Sequence, residues 1–177
     1  YLIIIFYVCM VRSIHQIIKL CKKINIVITD VDGVLTDGGM YYSDKGELLK
    51  KFNTRDGMGF ELLRKAKIKT IIITREKSKM VKERGKKIKA NNVFLGILRK
   101  EELLEEICKK NKVLPENIAY IGDDINDQKI IQKVGLSFTP HDGMKIIKKN
   151  VDYICKMKGG EGVFREVADL IISYKFQ

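Results

Sequence analysis

Three aspartates lie close together in a glycine-containing segment that follows a run of apolar residues. Asp30 and Asp32 begin the segment DVDGVLTDG, and Asp37 lies near its end. Ionised carboxylates that share a pocket repel one another, so they need a nearby cation or a reaction that uses their charge. Asp37 is interpreted as a turn residue, because aspartate readily bonds to its own backbone in turns. Asp30 and Asp32 are therefore the first candidates for metal binding or catalysis.

Polar residues also follow three later apolar runs of the chain. Thr74 ends TIIIT, Lys100 follows NVFLGILR, and Asp123 and Asp124 end IAYIGDD, with Asp127 close behind. Carboxylate oxygens suit Mg²⁺, which proteins hold with one or two carboxylates together with water and phosphate oxygens. A lysine ammonium group and a threonine hydroxyl can bind phosphate oxygens beside the metal. Together these residue types predict a magnesium-dependent site that acts on a phosphate group.

The apolar runs that carry these residues are predicted β-strands, because they are short, rich in β-branched residues and bounded by polar breakers. The predicted strands cover residues 24–30, 70–74, 92–96, 118–124 and 134–138. Between them, the stretches 57–67, 78–90, 100–111 and 126–134 carry apolar residues at helical spacing. This alternation predicts an α/β fold with a parallel sheet and helices on both faces. Ligands bind such sheets beyond the carboxyl ends of the strands, where these polar residues fall.

Each polar residue has a simpler interpretation when it is considered alone. Asp30 could cap a strand, Lys100 could be a surface lysine, and GDDIND could be an ordinary polar loop. The simpler interpretations must coincide four times at one edge of one sheet, so the joint pattern favours a catalytic site. His15 and His141 are interpreted as surface residues rather than ligands.

The segments DVDGVLT, IIIT, LRKEE and IGDDINDQ resemble, in sequence and order, the four motifs of the haloacid dehalogenase-like phosphatases. The resemblance implies a three-layer, Rossmann-like fold. It implies that Asp30 is the nucleophile that forms an aspartyl-phosphate, and that Asp32 is the general acid and base. Thr74 and Lys100 would bind the transferred phosphoryl group. The implied Mg²⁺ ligands are Asp30, the backbone carbonyl of Asp32 and Asp123, supported by Asp124 and Asp127.

The spacing of the motifs leaves no room for an inserted cap domain. The first two motifs are separated by a predicted β-hairpin flap, GGMYYSDKGELLKKF, and one helix, and the next two by one helix and one strand. Among capless members, TDGGMYY, KKFNTRDGMG and GGEGVFRE are similar to segments of phosphatases of 2-keto-3-deoxy sugar acids. That resemblance implies a homotetramer in which hairpins pack together and a neighbour closes each site. It also implies that Gly33, Thr36 and Arg55 contact the substrate.

The two residues that directly follow the second motif bear on whether the substrate has eight or nine carbons. Eight-carbon members of this family usually carry Gly-Arg there, whereas this chain carries Arg75 and Glu76. Glu76, with Lys87 in the following helix, is similar to a pair in the nine-carbon, sialic-acid-type branch. A carboxylate would accept hydrogen bonds from sugar hydroxyls, whereas an arginine would favour the substrate carboxylate. The expected substrate is a nine-carbon 9-phosphate, with an eight-carbon 8-phosphate as the alternative; Glu76 could also be a favourable helix-start residue.

Composition is typical of one globular domain. The chain has 177 residues, 45% of them apolar and 32% charged, and four cysteines without a C-x-x-C pair. Such cysteines are typical of reduced thiols in a cytoplasmic protein. Residues 1–23 are interpreted as an N-terminal extension and lead-in helix, and residues 24–177 as the phosphatase domain. The apolar run 1–11 is too short to span a bilayer, so no membrane association is expected.

The net charge of +12 keeps other classes of function open. A basic surface would suit a nucleic-acid end phosphatase or binding module, but the lysines lack aromatic interleaving, so no nucleic-acid partner is expected. A non-catalytic scaffold is a further alternative, because related domains fused to other enzymes have lost catalytic residues. Here both aspartates of the first motif and Asp123 are retained, which favours an enzyme.

Overall fold

The computed structural model describes residues 12–176, which form a six-stranded sheet, a two-stranded hairpin and seven α-helices. The strands are β1 (Ile26–Thr29), β2 (Tyr41–Ser43), β3 (Gly46–Leu49), β4 (Lys69–Ile73), β5 (Asn92–Phe94), β6 (Ile118–Ile121), β7 (Leu136–Thr139) and β8 (Tyr153–Ile154). The helices are α1 (Ile14–Lys23), α2 (Thr54–Lys65), α3 (Lys79–Lys87), α4 (Lys100–Asn111), α5 (Gln128–Ile131), α6 (Lys145–Lys148) and α7 (Val163–Lys175), with 3₁₀ turns at Pro115–Asn117 and Ile125–Asp127.

The strand order of the sheet determines where a ligand can bind. The order is β5-β4-β1-β6-β7-β8, and every neighbouring pair is parallel. From β1 the chain adds β4 and β5 on one side, and it then returns to add β6, β7 and β8 on the other. The direction of winding therefore reverses between β1 and β6, and ligands of open α/β sheets bind beyond the carboxyl ends of strands at such a point. The predicted parallel α/β fold is confirmed.

Helices cover both faces of the sheet, as predicted. Helices α1, α2, α3 and α7 pack with Val27 in one buried apolar cluster, which includes Phe60 and Phe164. Helices α4, α5 and α6 pack with Ile26 and Ile28 in a second cluster. Successive side chains of a strand point to opposite faces, so both faces of β1 are covered and its four residues are all buried. The two layers hold the carboxyl end of β1 in a fixed position.

Some elements differ from the sequence prediction, and helices α6 and α7 lie in a part of the chain for which no helix was predicted. The stretch 126–134, predicted as one helix, begins within a 3₁₀ turn and continues as the single-turn α5. The carboxylate of Asp127 accepts the backbone N–H groups of Asp123 and Asp124, which holds this segment in a tight turn. The edge strand β8 was not predicted, because its two residues are too few to show an alternating pattern.

The hairpin formed by β2 and β3 is separate from the main sheet and presents apolar side chains to solvent. Tyr41, Tyr42, Leu48 and Leu49 are all exposed. Between the first and second motifs the chain forms this hairpin and α2, and between the second and third it forms α3 and β5. The expected hairpin flap and the expected lack of a cap domain are therefore confirmed.

Within residues 12–176, no helix has both the length and the apolar character needed to cross a bilayer. The apolar run 1–11, interpreted above as part of an N-terminal extension, lies outside the described residues. Cys21, Cys108 and Cys155 are free thiols in the described part of the chain, and burial raises the pKa of Cys21 to about 11.

Candidate active site

Strands β1, β4 and β6 are adjacent, and their carboxyl ends bring the predicted residues together. Asp30 directly follows β1, Thr74 directly follows β4, and Asp123 lies just beyond β6. The Asp30 amide donates to the carbonyl of Ile121 at 2.9 Å, which ties the end of β1 to β6. A cavity of about 430 Å³ opens at this edge of the sheet. The residues that line it are Asp30, Asp32, Gly33, Gly38, Thr74, Arg75, Glu76, Leu98, Asp123, Asp124, Ile125 and Asn126.

Asp30 is buried at this cavity and paired with Lys100. Lys100 Nζ lies 2.7 Å from Asp30 Oδ2, and the Val31 amide donates to Asp30 Oδ1 at 2.7 Å. Burial, together with the charge of Asp127, raises the pKa of Asp30 to about 7 against the opposing effect of Lys100. The negative charge of Asp30 is therefore only partly compensated, as expected at a site that a cation completes.

Lys100 is completely buried, and two carboxylates balance its charge. Its Nζ lies 2.7 Å from Asp30 and 2.6 Å from Asp127. Burial opposes the positive charge of Lys100, but the attraction of Asp30 and Asp127 outweighs it and raises the pKa of the ammonium group. Removing one partner of a buried ion pair costs about 3–5 kcal/mol, because it leaves an uncompensated charge. The burial excludes the alternative of a surface lysine.

Asp127 is a fully buried carboxylate whose oxygens accept four hydrogen bonds. Its Oδ1 accepts from Lys100 Nζ and from the hydroxyl of Tyr120, both at 2.6 Å. Its Oδ2 accepts from the amides of Asp123 at 3.0 Å and Asp124 at 3.4 Å. These bonds engage both oxygens of Asp127, which suits a supporting role rather than metal ligation. Tyr120 was not predicted, because a tyrosine within an apolar strand has the pattern of an ordinary core residue.

Asp30, Asp123 and Asp127 form an acidic cluster in which Asp30 and Asp123 line the cavity as candidate ligands of a divalent cation, whereas Asp127 supports them. One carboxylate oxygen from each lies within 4.8 Å of the others. Burial and the charges of Asp30 and Asp127 raise the pKa of Asp123 to about 8. Gly33, at φ +80°, brings its loop so close that a side chain there would overlap the carboxylate of Asp123. Buried oxygen ligands with excess negative charge suit a hard cation such as Mg²⁺.

Asp32 lines the cavity from the loop after β1 and is bound by a lysine of the hairpin. Lys50 Nζ lies 2.6 Å from Asp32 Oδ1, and the Thr74 hydroxyl lies 3.5 Å from Asp32 Oδ2. The hydroxyl oxygen of Thr74 also accepts the Glu76 amide at 3.1 Å, which restrains its orientation. Lys50 was not predicted, because nothing in the sequence distinguishes it from its neighbour Lys51.

Other residues were also expected to contact the substrate or to support the metal. Some of them line this cavity, and others lie elsewhere in the chain. Glu76 and Asp124 line the cavity, and Asp124 Oδ1 also accepts the amide of Ile125 at 2.6 Å. Thr36, expected at the substrate, is instead buried beneath the loop, with its hydroxyl 3.4 Å from the carbonyl of Val31. It supports the turn that carries Asp32 and does not line the cavity.

Lys87 and Arg55, also expected at the substrate, lie elsewhere in this chain. Glu76 precedes α3, whereas Lys87 is the last residue of that helix, so the length of α3, about 12 Å, separates them. Lys87 lines a different cavity with Arg64 and Ile88. Arg55 lines a third cavity, of about 510 Å³, between the segment 153–162 and α7. Glu76 and Lys87 therefore line separate cavities of this chain, and the pairing that favoured a nine-carbon substrate stays a prediction.

Comparisons with known proteins agree with this geometry. Residues 7–167 match the profile of the haloacid dehalogenase-like hydrolases. The 3-deoxy-D-manno-octulosonate 8-phosphate phosphatase KdsC of Escherichia coli (strain K12) is 37% identical over 157 residues, which cover 89% of this chain and 84% of that protein. The crystal structure of a phosphatase with the same substrate in its name, from Yersinia pestis, has a TM-score of 0.88 at 35% identity. That match covers 91% of this chain and 87% of the other.

A third similar protein was crystallised with ligands. The 3-deoxy-D-manno-octulosonate 8-phosphate phosphatase of Moraxella catarrhalis, in complex with a magnesium ion, a phosphate ion and a KDO molecule, has a TM-score of 0.89 at 32% identity. The match covers 93% of this chain and 94% of that one. The chain belongs to the haloacid dehalogenase-like hydrolases and, within them, to the KdsC-type family of capless sugar-acid phosphatases.

Proposed function

We propose that this phosphatase releases phosphate from 3-deoxy-D-manno-octulosonate 8-phosphate, an eight-carbon sugar acid phosphate. The observation that carries the proposal is the convergence of Asp30, Asp32 and Thr74 on one cavity, with Lys100 buried against Asp30. The similar phosphatases from three bacteria carry this substrate in their names, and one was crystallised with KDO. They support the eight-carbon alternative rather than the nine-carbon expectation.

The reaction proceeds through a covalent intermediate on Asp30. A carboxylate oxygen of Asp30 attacks the phosphorus, and the bond from phosphorus to the sugar oxygen breaks. Asp32 gives a proton to that departing oxygen, so the sugar leaves as a neutral alcohol. Asp32 then takes a proton from a water molecule that attacks the aspartyl-phosphate. The bond to Asp30 breaks, phosphate is released, and both carboxyl groups return to their starting states.

Two further side chains hold the transferring group. Lys100 places a buried ammonium group beside the attacking carboxylate, where it offsets negative charge on the phosphoryl oxygens. The hydroxyl of Thr74 faces the cavity and donates to a phosphoryl oxygen. Asp127 contacts none of the reacting atoms in this proposal, and it positions Lys100 and the loop that carries Asp123.

Mg²⁺ is the proposed cofactor, held by Asp30, the backbone carbonyl of Asp32 and Asp123, with Asp124 in support. The fit rests on the clustered carboxylates and on the raised pKa values of Asp30 and Asp123. When bound, the metal supplies positive charge that brings the anionic nucleophile and the anionic phosphate together. Similar phosphatases were crystallised with magnesium or cobalt.

Arg75 is the proposed contact for the carboxylate of the sugar acid. It lines the rim of the cavity directly after Thr74, and its guanidinium group has the planar donor geometry that matches a carboxylate. Glu76 lines the same rim and offers an acceptor for sugar hydroxyls. A cation and an acceptor side by side suit a substrate that carries both a carboxylate and several hydroxyls.

The proposed assembly is a homotetramer in which hairpins pack against one another. Tyr41, Tyr42, Leu48 and Leu49 are four exposed apolar side chains on an isolated two-stranded hairpin. Such a hairpin is marginally stable in water without further packing. Exposed apolar patches of this kind mark protein interaction sites, and a neighbouring subunit would also narrow the open site.

A substrate panel tests the proposed function. Phosphate release is measured with Mg²⁺ for the eight-carbon 8-phosphate, a nine-carbon 9-phosphate and a hexose 6-phosphate. We expect kcat/KM for the eight-carbon substrate to exceed the others by roughly tenfold or more, the discrimination that one or two polar contacts provide. Chelation of the metal should abolish release, and added Mg²⁺ should restore it. Equal or faster hydrolysis of the nine-carbon substrate would overturn the assignment.

A further inference from the structure

We propose that Lys50 is a positioning residue that fixes the orientation of the Asp32 carboxylate and thereby links the hairpin to proton transfer at the active site. The inference rests on the proposed function, in which Asp32 is the general acid and base. It concerns a residue outside the four sequence motifs, contributed by an element separate from the main sheet.

The environment of Lys50 is unusual for a lysine in a hairpin. It directly follows β3, yet only 1% of its side chain is exposed. Its Nζ lies 2.6 Å from Asp32 Oδ1 and 2.8 Å from Glu47 Oε1. Lysine is rarely buried without ionic partners, because loss of hydration disfavours its charge. Asp32 and Glu47 therefore hold this ammonium group in place.

The two oxygens of the Asp32 carboxylate have different neighbours. Its Oδ1 is held by Lys50, while its Oδ2 lies 3.5 Å from the hydroxyl of Thr74, the residue that follows β4 and lines the cavity. A carboxylate fixed through one oxygen presents the other in a defined direction. Proton transfer requires the donor and acceptor atoms to be within hydrogen-bond reach, so orientation controls its rate. Lys50 acts through Asp32 and contacts none of the reacting atoms.

Lys51 provides a matched comparison within the same hairpin. It is the next residue, carries the same charge, and also bonds to an aspartate, with Nζ 2.9 Å from Asp37 Oδ2. However, 62% of its side chain is exposed, and Asp37 is a turn residue. Surface ion pairs of this kind contribute little to the stability of the fold. The two adjacent lysines thus differ in burial and in which aspartate they bind.

The test uses substrates that differ in their need for a general acid. The sugar alcohol needs a proton as it leaves, whereas p-nitrophenolate stabilises its own negative charge. The variant Lys50→Met keeps the length and apolar stem of the side chain but removes the ammonium group. We expect kcat/KM to fall about tenfold to a hundredfold more for the sugar-acid phosphate than for p-nitrophenyl phosphate. This difference would be a fraction of the rate enhancement that general acid catalysis supplies. Lys51→Met should change both values less than twofold, within the range of a surface ion pair.

The outcomes separate this inference from the proposed function. Failure of the wild-type enzyme to hydrolyse the sugar-acid phosphate would reject the proposed substrate but leave the comparison possible with any alkyl phosphate that it does hydrolyse. Equal losses on alkyl and aryl substrates in Lys50→Met would make Lys50 a structural residue and overturn the inference. Lys50→Gln is uncharged, and its amide nitrogen lies one bond nearer the backbone than Lys50 Nζ, so it must show the same preferential loss on alkyl substrates. If circular dichroism shows that Lys50→Met does not fold, the result for Lys50→Gln tests the positioning role of Lys50 instead.

Discussion

The hydroxyl of Tyr120 donates a 2.6 Å hydrogen bond to Asp127 Oδ1, the same oxygen that contacts Lys100. Burial and the negative charges of Asp127 and Asp30 raise the pKa of Tyr120 well above its usual value, so the phenol remains a donor. Lys100 contacts Asp30 in turn. A core residue of β6 is thereby connected to the proposed nucleophile through three buried contacts.

Removing this donor should weaken the fold and, to a smaller extent, the reaction. Tyr120→Phe keeps the ring but leaves Asp127 with one fewer partner, so we expect the free energy of unfolding to fall by about 1–3 kcal/mol. Chemical denaturation measures the change. Tyr153→Phe is the control, because the Tyr153 hydroxyl lies 3.5 Å from Glu166 and is only partly buried. Equal effects of the two variants would show that the bond to Asp127 has no special importance.

Asp30→Asn should abolish turnover and preserve the fold, because Asp127 still balances the charge of Lys100. The amide fills the same space but cannot act as an anionic nucleophile, so we expect phosphate release to fall by several orders of magnitude. Circular dichroism checks the fold. Mass spectrometry of acid-quenched enzyme should detect a phosphorylated aspartate in the wild type and not in the variant. A variant that retained substantial activity would exclude covalent catalysis at Asp30.

The parts of the site that could be predicted are those fixed by strand topology. A parallel sheet places the carboxyl ends of β1, β4 and β6 at one edge, so Asp30, Thr74 and Asp123 could be assigned to one site from the sequence, whereas the adjacency of these strands could not. Lys50 could not be predicted, because its contact with Asp32 depends on how the hairpin folds back over the loop. The expected pairing of Glu76 with Lys87 stays a prediction, since the two residues lie before and at the end of α3 and line different cavities.

Mg²⁺ should bind more tightly as the pH rises through the neutral range. The pKa of Asp30 is raised to about 7 and that of Asp123 to about 8, so part of the cluster carries protons at neutral pH when no metal is bound. Mg²⁺ requires the ionised carboxylates, so binding releases protons. Titration calorimetry in buffers with different ionisation enthalpies measures this release. We expect release near neutral pH and little release above about pH 9, beyond both pKa values. Binding that is independent of pH would contradict the proposed ligands.

Charges on the hairpin should dissociate the proposed tetramer. Tyr42 and Leu49 are 63% and 61% exposed in this chain, and replacing both with lysine would put like charges into a packed hairpin interface. Light scattering should then show smaller species than the wild type. Leu114→Lys is a matched control, because Leu114 is 62% exposed but lies beside the 3₁₀ turn Pro115–Asn117. A wild-type monomer with full activity would contradict the proposed assembly.

Asp56 of α2 forms a hydrogen bond to the first turn of α7, in buried surroundings that disfavour its negative charge. Its Oδ1 accepts the Arg165 amide at 3.0 Å, whereas its Oδ2 is buried without a hydrogen-bond partner. Burial raises the pKa of Asp56 from 3.8 to about 6, although the bond from Arg165 and the charge of Arg84 oppose the rise. The folded protein therefore binds this proton more tightly than the unfolded chain does.

Protonation of Asp56 should stabilise the fold, and that contribution should be lost as the pH rises through about 6. The difference of about two pKa units corresponds to on the order of 3 kcal/mol, fully present below about pH 4. Asp30 and Asp123 act in the same direction, so the comparison of Asp56→Asn with the wild type isolates the effect of Asp56. The amide stays neutral at every pH and can still accept from Arg165, so the variant should gain stability relative to the wild type as the pH rises from about 4 to about 6, and the gain should level off above that. Asp169→Asn, which alters an exposed partner of Arg165, should show no such gain. If the free energy of unfolding changed with pH in the same way for Asp56→Asn and the wild type, the titrating group would be a residue other than Asp56.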